Sequence, residues 1–300
     1  MSTNAGFFGL TDDAPERDRP PTPTAEFNAS LLADLKGVFK RAWATHARSQ
    51  QRALGPSEVG HPCARRLVTA MLEMPRINPE GDPLPAWLGT AGHAKFEDAV
   101  LFDNDRIVDE WLRDRTQKCT VLREITEADG VADPDATEPT YVGRWFSERR
   151  VQVSGGLAGT CDLFDTWTGT VIDLKFPGAT AFSTYKKHGP SPEYKVQAHC
   201  YGKGYRNAGF DVNRVAIWFI PRGGTLSSSF VWSEEYDEKV VADTVTKLQD
   251  IALVLNDLDI EEHPERLALV PKHPHNCMFC PFFVTKPDPE RPWACEGGAS

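Results

Sequence analysis

The stretch GLAGTCDLFDTWTGTVIDLKFPG, residues 156–178, decides how the rest of this sequence folds. Apolar side chains recur with period two on both sides of the turn signal Thr168-Gly169. This pattern predicts two adjacent strands, at 157–167 and 170–176. Neighbouring strands joined by so short a turn are antiparallel, so the stretch predicts the centre of a β-sheet.

Three charged side chains lie on these strands: Asp162 on the first, Asp173 and Lys175 on the second. Because strand residues two apart share a face, Asp173 and Lys175 point the same way and Leu174 points into the core. Two carboxylates can hold a hard cation, Mg²⁺ or Mn²⁺, which the Leu174 carbonyl could also reach, and a lysine can orient a water beside it. The alternative from spacing alone is a salt bridge between Lys175 and one aspartate.

The elements around this stretch predict an α/β fold with one mixed sheet. A strand at 144–153 precedes the pair and completes an antiparallel meander. Helical spacing of apolar residues, or strand alternation, defines the other elements. The predicted helices are 30–48, 63–74, one from 90 past 100, 193–207 and 234–255, and the further strands are 215–220 and 228–232.

The domain organisation follows from composition. Residues 26–258 are expected to form one domain, preceded by a disordered arm at 1–25 and interrupted by an acidic, exposed insertion at 124–140. The motifs fall within 57–210, and a cysteine-rich tail occupies 259–300.

Bulk composition limits the class of protein. The net charge of -10 counts against a protein that coats nucleic acid, although a local basic patch is enough to grip a few phosphates. No run of about eighteen apolar residues and no secretion signal stand out, so we expect no membrane span and a cytoplasmic protein, in the host cytoplasm if a phage encodes it. Seven cysteines then favour free thiols or metal ligands over disulfides.

Two further pairs of polar residues lie four apart on predicted helices. His93 could supply a nitrogen ligand to the cation, and Glu97 could assist or hold a second ion. Gln197 and Tyr201 could hydrogen-bond a phosphate or a base. A packed or capping histidine is the commoner alternative for His93 alone.

In this order, Gly-x-x-x-His, Gly-x-x-Asp, Asp-x-Lys and Gln-x-x-x-Tyr resemble the RecB-type branch of the PD-(D/E)XK nucleases, over about 57–209 and the tail. The resemblance implies a restriction-endonuclease-like core and a Mg²⁺- or Mn²⁺-dependent DNA exonuclease. It also implies roles: metal ligands for His93, Asp162 and Asp173, a catalytic function for Lys175, and support of the active site and DNA for Gln197 and Tyr201.

The tail carries a Cys-x-x-Cys pair and a third cysteine, and only one other cysteine, in His61-Pro62-Cys63, has a comparable context. These four are Cys63, Cys277, Cys280 and Cys295. Four thiolates could hold a 4Fe–4S cluster, and His273 or His275 leaves a zinc site open. The layout resembles the iron–sulfur members of the RecB-type family, among them the AddB nuclease subunit and the fourth CRISPR-associated (Cas) protein.

The expected function is therefore cleavage of DNA ends or single strands in recombination, repair or CRISPR-type processing. A homo-oligomer and partner proteins from those processes are compatible with this expectation. Two alternatives stay open: a non-catalytic, zinc-containing DNA-binding adaptor, and a sequence-specific endonuclease on the same core.

Overall fold

The computed structural model describes five segments of the chain: 23–45, 54–78, 82–123, 139–286 and 288–298. The chain divides into two compact units, Met1–Gln50 and Gln51–Ser300. Most of the predicted N-terminal arm and of the predicted acidic insertion lies outside the described residues.

The first unit contains one long helix, α1, Pro23–Ala44. It begins at Pro23 rather than at residue 30, and it has Glu26 in its first turn and Arg41 in its last, which is the favourable arrangement of charge along a helix dipole. Its apolar side chains have helical spacing, and several of them, including Leu35 and Val38, are exposed.

The described part of the second unit contains six helices and seven strands. The helices are α2 (Pro56–Val59), α3 (Ala64–Met71), α4 (Leu84–Arg113), α5 (Ala179–His188), α6 (Pro192–Asn207) and α7 (Glu238–Asp257). The strands are β1 (Thr120–Arg123), β2 (Pro139–Gly143), β3 (Trp145–Ser154), β4 (Leu157–Asp165), β5 (Thr170–Lys175), β6 (Arg214–Phe219) and β7 (Phe230–Glu235). Short 3-10 turns occupy Leu226–Ser228, Pro264–Leu269 and Cys277–Phe279.

Five strands form one sheet in the order β3-β4-β5-β6-β7, and β1 pairs with β2 separately. Only the pair β5–β6 in this five-stranded sheet is parallel. The chain crosses between these two strands through α5 and α6, as a parallel connection requires. The predicted α/β fold with a mixed central sheet flanked by helices is therefore confirmed.

Helices cover both faces of the sheet. On one face, α6 packs over the strands through a core that contains Phe164, Val171 and Tyr205. On the other face, Val100 of α4 packs against Leu163 and Leu174. Successive side chains of β4 and β5 therefore pack on opposite faces of the sheet, and both faces of these two strands, which carry Asp162 and Asp173, are covered.

Differences from the sequence expectation in the second unit include α4, α5 and the sheet β1–β2. Helix α4 begins at Leu84 rather than at residue 90, because a proline is well tolerated in the first turn of a helix. Helix α5 was missed: none of its residues is buried, so it carries little apolar periodicity to detect. The sheet β1–β2 was also missed, because a strand of four residues such as β1 is too short to show alternation.

Helix α4 is fixed to the edge of the sheet by Asn104. Its Oδ1 atom accepts hydrogen bonds from the backbone N–H groups of Arg144 and Trp145, at 3.0 and 2.9 Å. Its Nδ2 atom donates to the Trp145 carbonyl at 2.8 Å. The position of α4 against the start of β3 is therefore set by three hydrogen bonds from one side chain.

The tail lies against the region of α3. The buried guanidinium of Arg65 donates to the carbonyls of Ala268 and Val270 at 2.6 and 3.2 Å. Asn78 donates to the Cys280 carbonyl at 2.8 Å. These contacts join segments about 200 residues apart in sequence. None of the helices in the described part of the chain has the length and apolar character that a membrane crossing requires.

Candidate functional site

The candidate site lies where β4 and β5 separate. Their register pairs Leu163 with Ile172, and no pair follows toward Asp162 and Asp173 among the described residues. The N–H of Leu174 is therefore free of the β4 backbone and donates instead to Asp162 Oδ2 at 2.7 Å. This bond holds the Asp162 carboxylate in the opening between the two strands.

His93, on α4, reaches this opening. Its Nδ1 atom lies 3.4 Å from Asp162 Oδ1 and 3.7 Å from Glu148 Oε1. Ligand atoms of these three residues all lie within 4.8 Å of one another, and they are the one such group of three in the described part of the chain. A single small cation could contact all three.

Glu148 was not predicted from the sequence. It lies on β3 between the pairs Ser147–Leu163 and Arg149–Cys161, so it stands across from Asp162. Its φ of 47° is in the left-handed region, which is unfavourable for a glutamate in a strand. Because such strain persists only where the surroundings impose it, the backbone at Glu148 is a second indication that this side chain is positioned for a task.

Asp173 lies behind this group and is fully buried. Its Oδ2 atom is 2.5 Å from the Lys175 ammonium, so the salt bridge considered from spacing alone is present. Apart from this ion pair, neither oxygen of Asp173 has a hydrogen-bond partner among the described residues. The Oδ1 atom of this buried carboxylate thus has lone pairs that no hydrogen bond uses in the described structure.

Lys175 is held by a chain of side chains from α6. Its ammonium donates to Gln197 Oε1 at 3.1 Å, and Gln197 Nε2 donates to the Tyr201 hydroxyl at 3.2 Å. The ammonium also lies 4.7 Å from the centre of the Tyr194 ring. Gln197 and Tyr201 are both buried, so the predicted pair on α6 fixes the lysine from inside the protein.

Burial and neighbouring charges together raise the pKa values of Asp173 and His93 and lower that of Asp162. Complete burial raises the pKa of Asp173 to about 6. Burial also acts to raise the pKa of Asp162, but the hydrogen bond and positive charge of His93 bring it below its ordinary value. Burial acts to lower the pKa of His93, and its contacts with Asp162 and Glu148 outweigh this and raise it to about 9.

Gly92 permits the close approach of α4 to the end of β5. A Cβ atom at this position would lie 2.8–2.9 Å from atoms of the Phe176 ring. That ring meets the imidazole of His93 edge-on, with 5.4 Å between centroids. At Gly89, in contrast, a Cβ would meet nothing within 4 Å.

Glu97 and the Leu174 carbonyl were also predicted as ligands. Glu97 lies one helical turn beyond His93, is half-buried, and has no ligand atom in the group that His93 forms. The carbonyl of Leu174 lies on the same side of β5 as its N–H, which faces Asp162, because both groups of one strand residue point the same way.

The four cysteines that were singled out from the sequence line one pocket. Cys63 is buried at the start of α3, and the other three are half-buried. Arg65, Arg66 and Lys272 also line this pocket, so its wall is basic. The backbone N–H of Gly297 donates to Cys295 Sγ at 3.4 Å.

The spacing of these sulfurs bears on what they could bind. Tetrahedral zinc with Zn–S bonds near 2.3 Å places its sulfurs about 3.8 Å apart. No three cysteine or histidine ligand atoms of this pocket lie within 4.8 Å of one another in the described residues. Both histidines of the zinc alternative line the pocket, and the Nε2 atom of His275 lies 2.8 Å from Glu193 Oε1.

The three remaining cysteines have other surroundings. Cys161 and Cys200 are fully buried in the core, and burial raises the pKa of the Cys200 thiol to about 12. Cys119 is half-buried.

Comparison with known proteins gives structural likeness alone. No protein-family model and no curated protein matches the chain. An alkaline exonuclease (LHK-Exo) from Laribacter hongkongensis is similar in structure, with a TM-score of 0.41 and 15% identity over 77% of this chain and 100% of that chain. The same exonuclease in complex with dAMP gives 0.40 and 15% over 73% and 95%. A phage-related exonuclease from Haemophilus somnus 129PT gives 0.34 and 13% over 66% and 81%.

Proposed function

We propose that this chain is a metal-dependent DNA exonuclease that hydrolyses phosphodiester bonds. The observation that carries the proposal is that ligand atoms of His93, Glu148 and Asp162 lie within 4.8 Å of one another, beside a lysine fixed by buried partners. A histidine and carboxylates are ligands that suit Mn²⁺ and Mg²⁺. A positioned lysine next to them is what hydrolysis of a phosphate ester requires in addition.

In this proposal, His93, Glu148 and Asp162 hold the cation, and Asp173 and the Leu174 carbonyl complete its ligands. The Oδ1 atom of Asp173 fits that role, since it is buried without a hydrogen-bond partner in the described residues and the Lys175 ammonium lies against the other oxygen. When bound, a divalent cation would polarise the scissile phosphate and lower the pKa of a bound water.

Lys175 orients the attacking water and offsets negative charge that develops on the phosphate oxygens. Its ammonium is compact enough to stand beside a small nucleophile, which a planar guanidinium is not. Gln197 and Tyr201 restrict the lysine to one position, so less freedom is lost in reaching the reactive geometry.

DNA as the substrate is supported by the charge near the end of α5. Lys186, Lys187 and His188 are all exposed in its last turn, and this helix follows directly after β5. They form a local basic patch on an acidic chain, which is sufficient to grip a few phosphates. We infer that DNA ends or single strands, as in recombination, repair or CRISPR-type processing, are the substrates.

The test is cleavage of linear and covalently closed circular DNA with Mn²⁺ or Mg²⁺. Lys175→Ala should abolish cleavage and leave DNA binding, measured with EDTA present, largely intact. Lys239→Ala is the matched control, because this lysine is exposed on α7 and pairs only with Asp243 in the described structure.

Three outcomes would each overturn part of the proposal. Full cleavage by Lys175→Ala would remove the catalytic assignment, and DNA binding with no metal-dependent cleavage would favour the adaptor alternative. Cleavage of circular DNA would keep the metal chemistry and replace the exonuclease by an endonuclease.

We infer further that Cys63, Cys277, Cys280 and Cys295 hold an iron–sulfur cluster of the 4Fe–4S type. Three observations support this: the four line one pocket, its wall is basic, and no three cysteine or histidine ligand atoms of the pocket lie as close together in the described residues as one zinc ion would hold them. Cationic side chains offset the negative charge of four thiolates. Closing the chain between α3 and the tail would stabilise the second unit.

The test is the metal and sulfide content of protein purified without oxygen. We expect about four iron atoms and four sulfides per chain and a brown colour. Cys280→Ser should lose them, and Cys119→Ser, whose sulfur lies outside the pocket, should keep them. A colourless wild-type protein with one zinc per chain would reject the cluster in favour of zinc.

A further inference from the structure

His61 lies two residues before Cys63 and lines the same pocket as the four cysteines. Its side chain is buried, with 7% of the residue exposed. Its Nδ1 atom accepts a hydrogen bond from the backbone N–H of Cys63 at 3.1 Å. The imidazole therefore holds the loop that presents Cys63.

This hydrogen bond decides where the proton of the ring lies. A ring nitrogen that accepts a hydrogen bond carries no proton, so in His61 the proton is on Nε2. Nε2 is buried and has no hydrogen-bond partner in the described residues. A buried donor without an acceptor is rare and unfavourable, so Nε2 requires an acceptor that the protein atoms around it do not supply.

The neighbours of His61 are mostly donors themselves. The ammonium of Lys247 donates to the His61 carbonyl at 2.7 Å, and Arg65 and Arg66 line the pocket with guanidinium groups that cannot accept. The His275 ring stands edge-on at 5.2 Å, and its Nε2 atom faces Glu193. The cysteine sulfurs, and whatever they bind, are the acceptors in this pocket that can carry a negative charge, since its other polar side chains are a hydroxyl, imidazoles, guanidinium groups and an ammonium.

We propose that His61 donates a hydrogen bond from Nε2 to a sulfur of the group held by the four cysteines, and so acts as its positioning residue. This inference rests on the proposed function of the cysteine pocket. A hydrogen bond to a thiolate or sulfide withdraws electron density from the metal, which favours the reduced form and slows loss of the group.

Two substitutions separate the two nitrogens of the ring. In His61→Asn the amide oxygen can replace Nδ1 as the acceptor for the Cys63 N–H, but nothing replaces the donor at Nε2. In His61→Gln the amide N–H can replace the donor at Nε2. We expect His61→Asn to bind the same metal but release it about tenfold faster to a chelator, with His61→Gln close to wild type.

If the metal is iron with sulfide, reduction of His61→Asn should also be about tenfold less favourable, which is about 59 mV for a one-electron couple. Far-UV circular dichroism of all three proteins checks that they are folded. Equal release rates in His61→Asn and wild type, or equal acceleration in both variants, would overturn the role of Nε2. Absence of both iron and zinc from wild type would overturn the cysteine pocket itself, whereas metal retained in Cys280→Ser would overturn its ligand set.

Discussion

Replacing Gly92 by alanine should damage the metal site although this residue has no side chain there. A Cβ atom would lie 2.8–2.9 Å from three atoms of the Phe176 ring. Favourable carbon contacts lie at about 3.5–4.0 Å, so the ring or the helix must move by roughly 0.7–1 Å. Phe176 directly follows Lys175 and packs against His93, so either movement displaces a group of the site.

The contact at Gly92 gives an expected size for the loss of stability and for the loss of catalytic rate. Overpacking of this kind costs roughly 1–3 kcal/mol, and the better helix propensity of alanine returns about 1 kcal/mol. We therefore expect the free energy of unfolding to fall by up to about 2 kcal/mol. A displacement near 1 Å in a catalytic group costs about 100-fold in rate, so kcat/KM with Mn²⁺ should fall by about two orders of magnitude.

Urea unfolding and Mn²⁺-dependent cleavage of linear DNA measure these two quantities on the same preparation. Gly89→Ala is the matched control in the same helix, because its Cβ would meet nothing within 4 Å. It should stabilise the protein by about 0.5–1 kcal/mol and leave cleavage unchanged. Wild-type cleavage by Gly92→Ala, or an equal loss in Gly89→Ala, would refute close packing at Gly92 as the cause.

Three further predictions test other contacts. Glu148→Gln removes a charged ligand and should raise the Mn²⁺ concentration for half-maximal activity about 100-fold, which corresponds to about 3 kcal/mol of binding free energy. An unchanged Mn²⁺ titration would exclude Glu148 as a ligand. Asp165→Asn breaks the two-point ion pair with Arg144 (2.9 and 2.7 Å) and should cost about 2 kcal/mol at pH 7. Burial acts to raise the pKa of Asp165, and the bond from Arg144 outweighs it, so the pKa of this carboxyl is lowered in the folded protein. The stabilisation is therefore present above about pH 4 and lost below it. In urea unfolding, the loss of stability in Asp165→Asn relative to wild type should shrink as the pH falls from 5 to 2. Tyr201→Phe leaves a buried N–H of Gln197 without its acceptor and should destabilise the fold by roughly 1–3 kcal/mol. The variant should also have a smaller kcat with little change in KM. An unchanged kcat would show that this hydroxyl does not act through Lys175.

Much of the fold was readable from local pattern. Alternating apolar residues placed β3, β4 and β5 to within two residues, and helical spacing together with Gly209 placed α6. Local pattern failed where burial is weak or the element is short. Helix α5 buries no residue, and the four residues of β1 pair only with β2.

The sequence by itself determined which side chains share one face of β5 and one side of α6. Period two puts Asp173 and Lys175 on one face, and the four-residue spacing puts Gln197 and Tyr201 on one side of their helix. It did not determine that Lys175 contacts both Asp173 and Gln197, because this depends on how α6 crosses the sheet.

Glu148 shows what only the tertiary structure decided. Ser154 pairs with Leu157 at the turn between β3 and β4. If the pairing continued from there without a register shift, Arg149 would lie opposite Asp162. A register shift between Gln152 and Ser154 moves every earlier residue by one, so Glu148 stands there instead. A shift of one residue exchanges the side chains on the two faces of a strand. Here it exchanges a cation for a carboxylate beside His93, and the close contact of α4 with the sheet, which sequence pattern does not specify, places that histidine within reach.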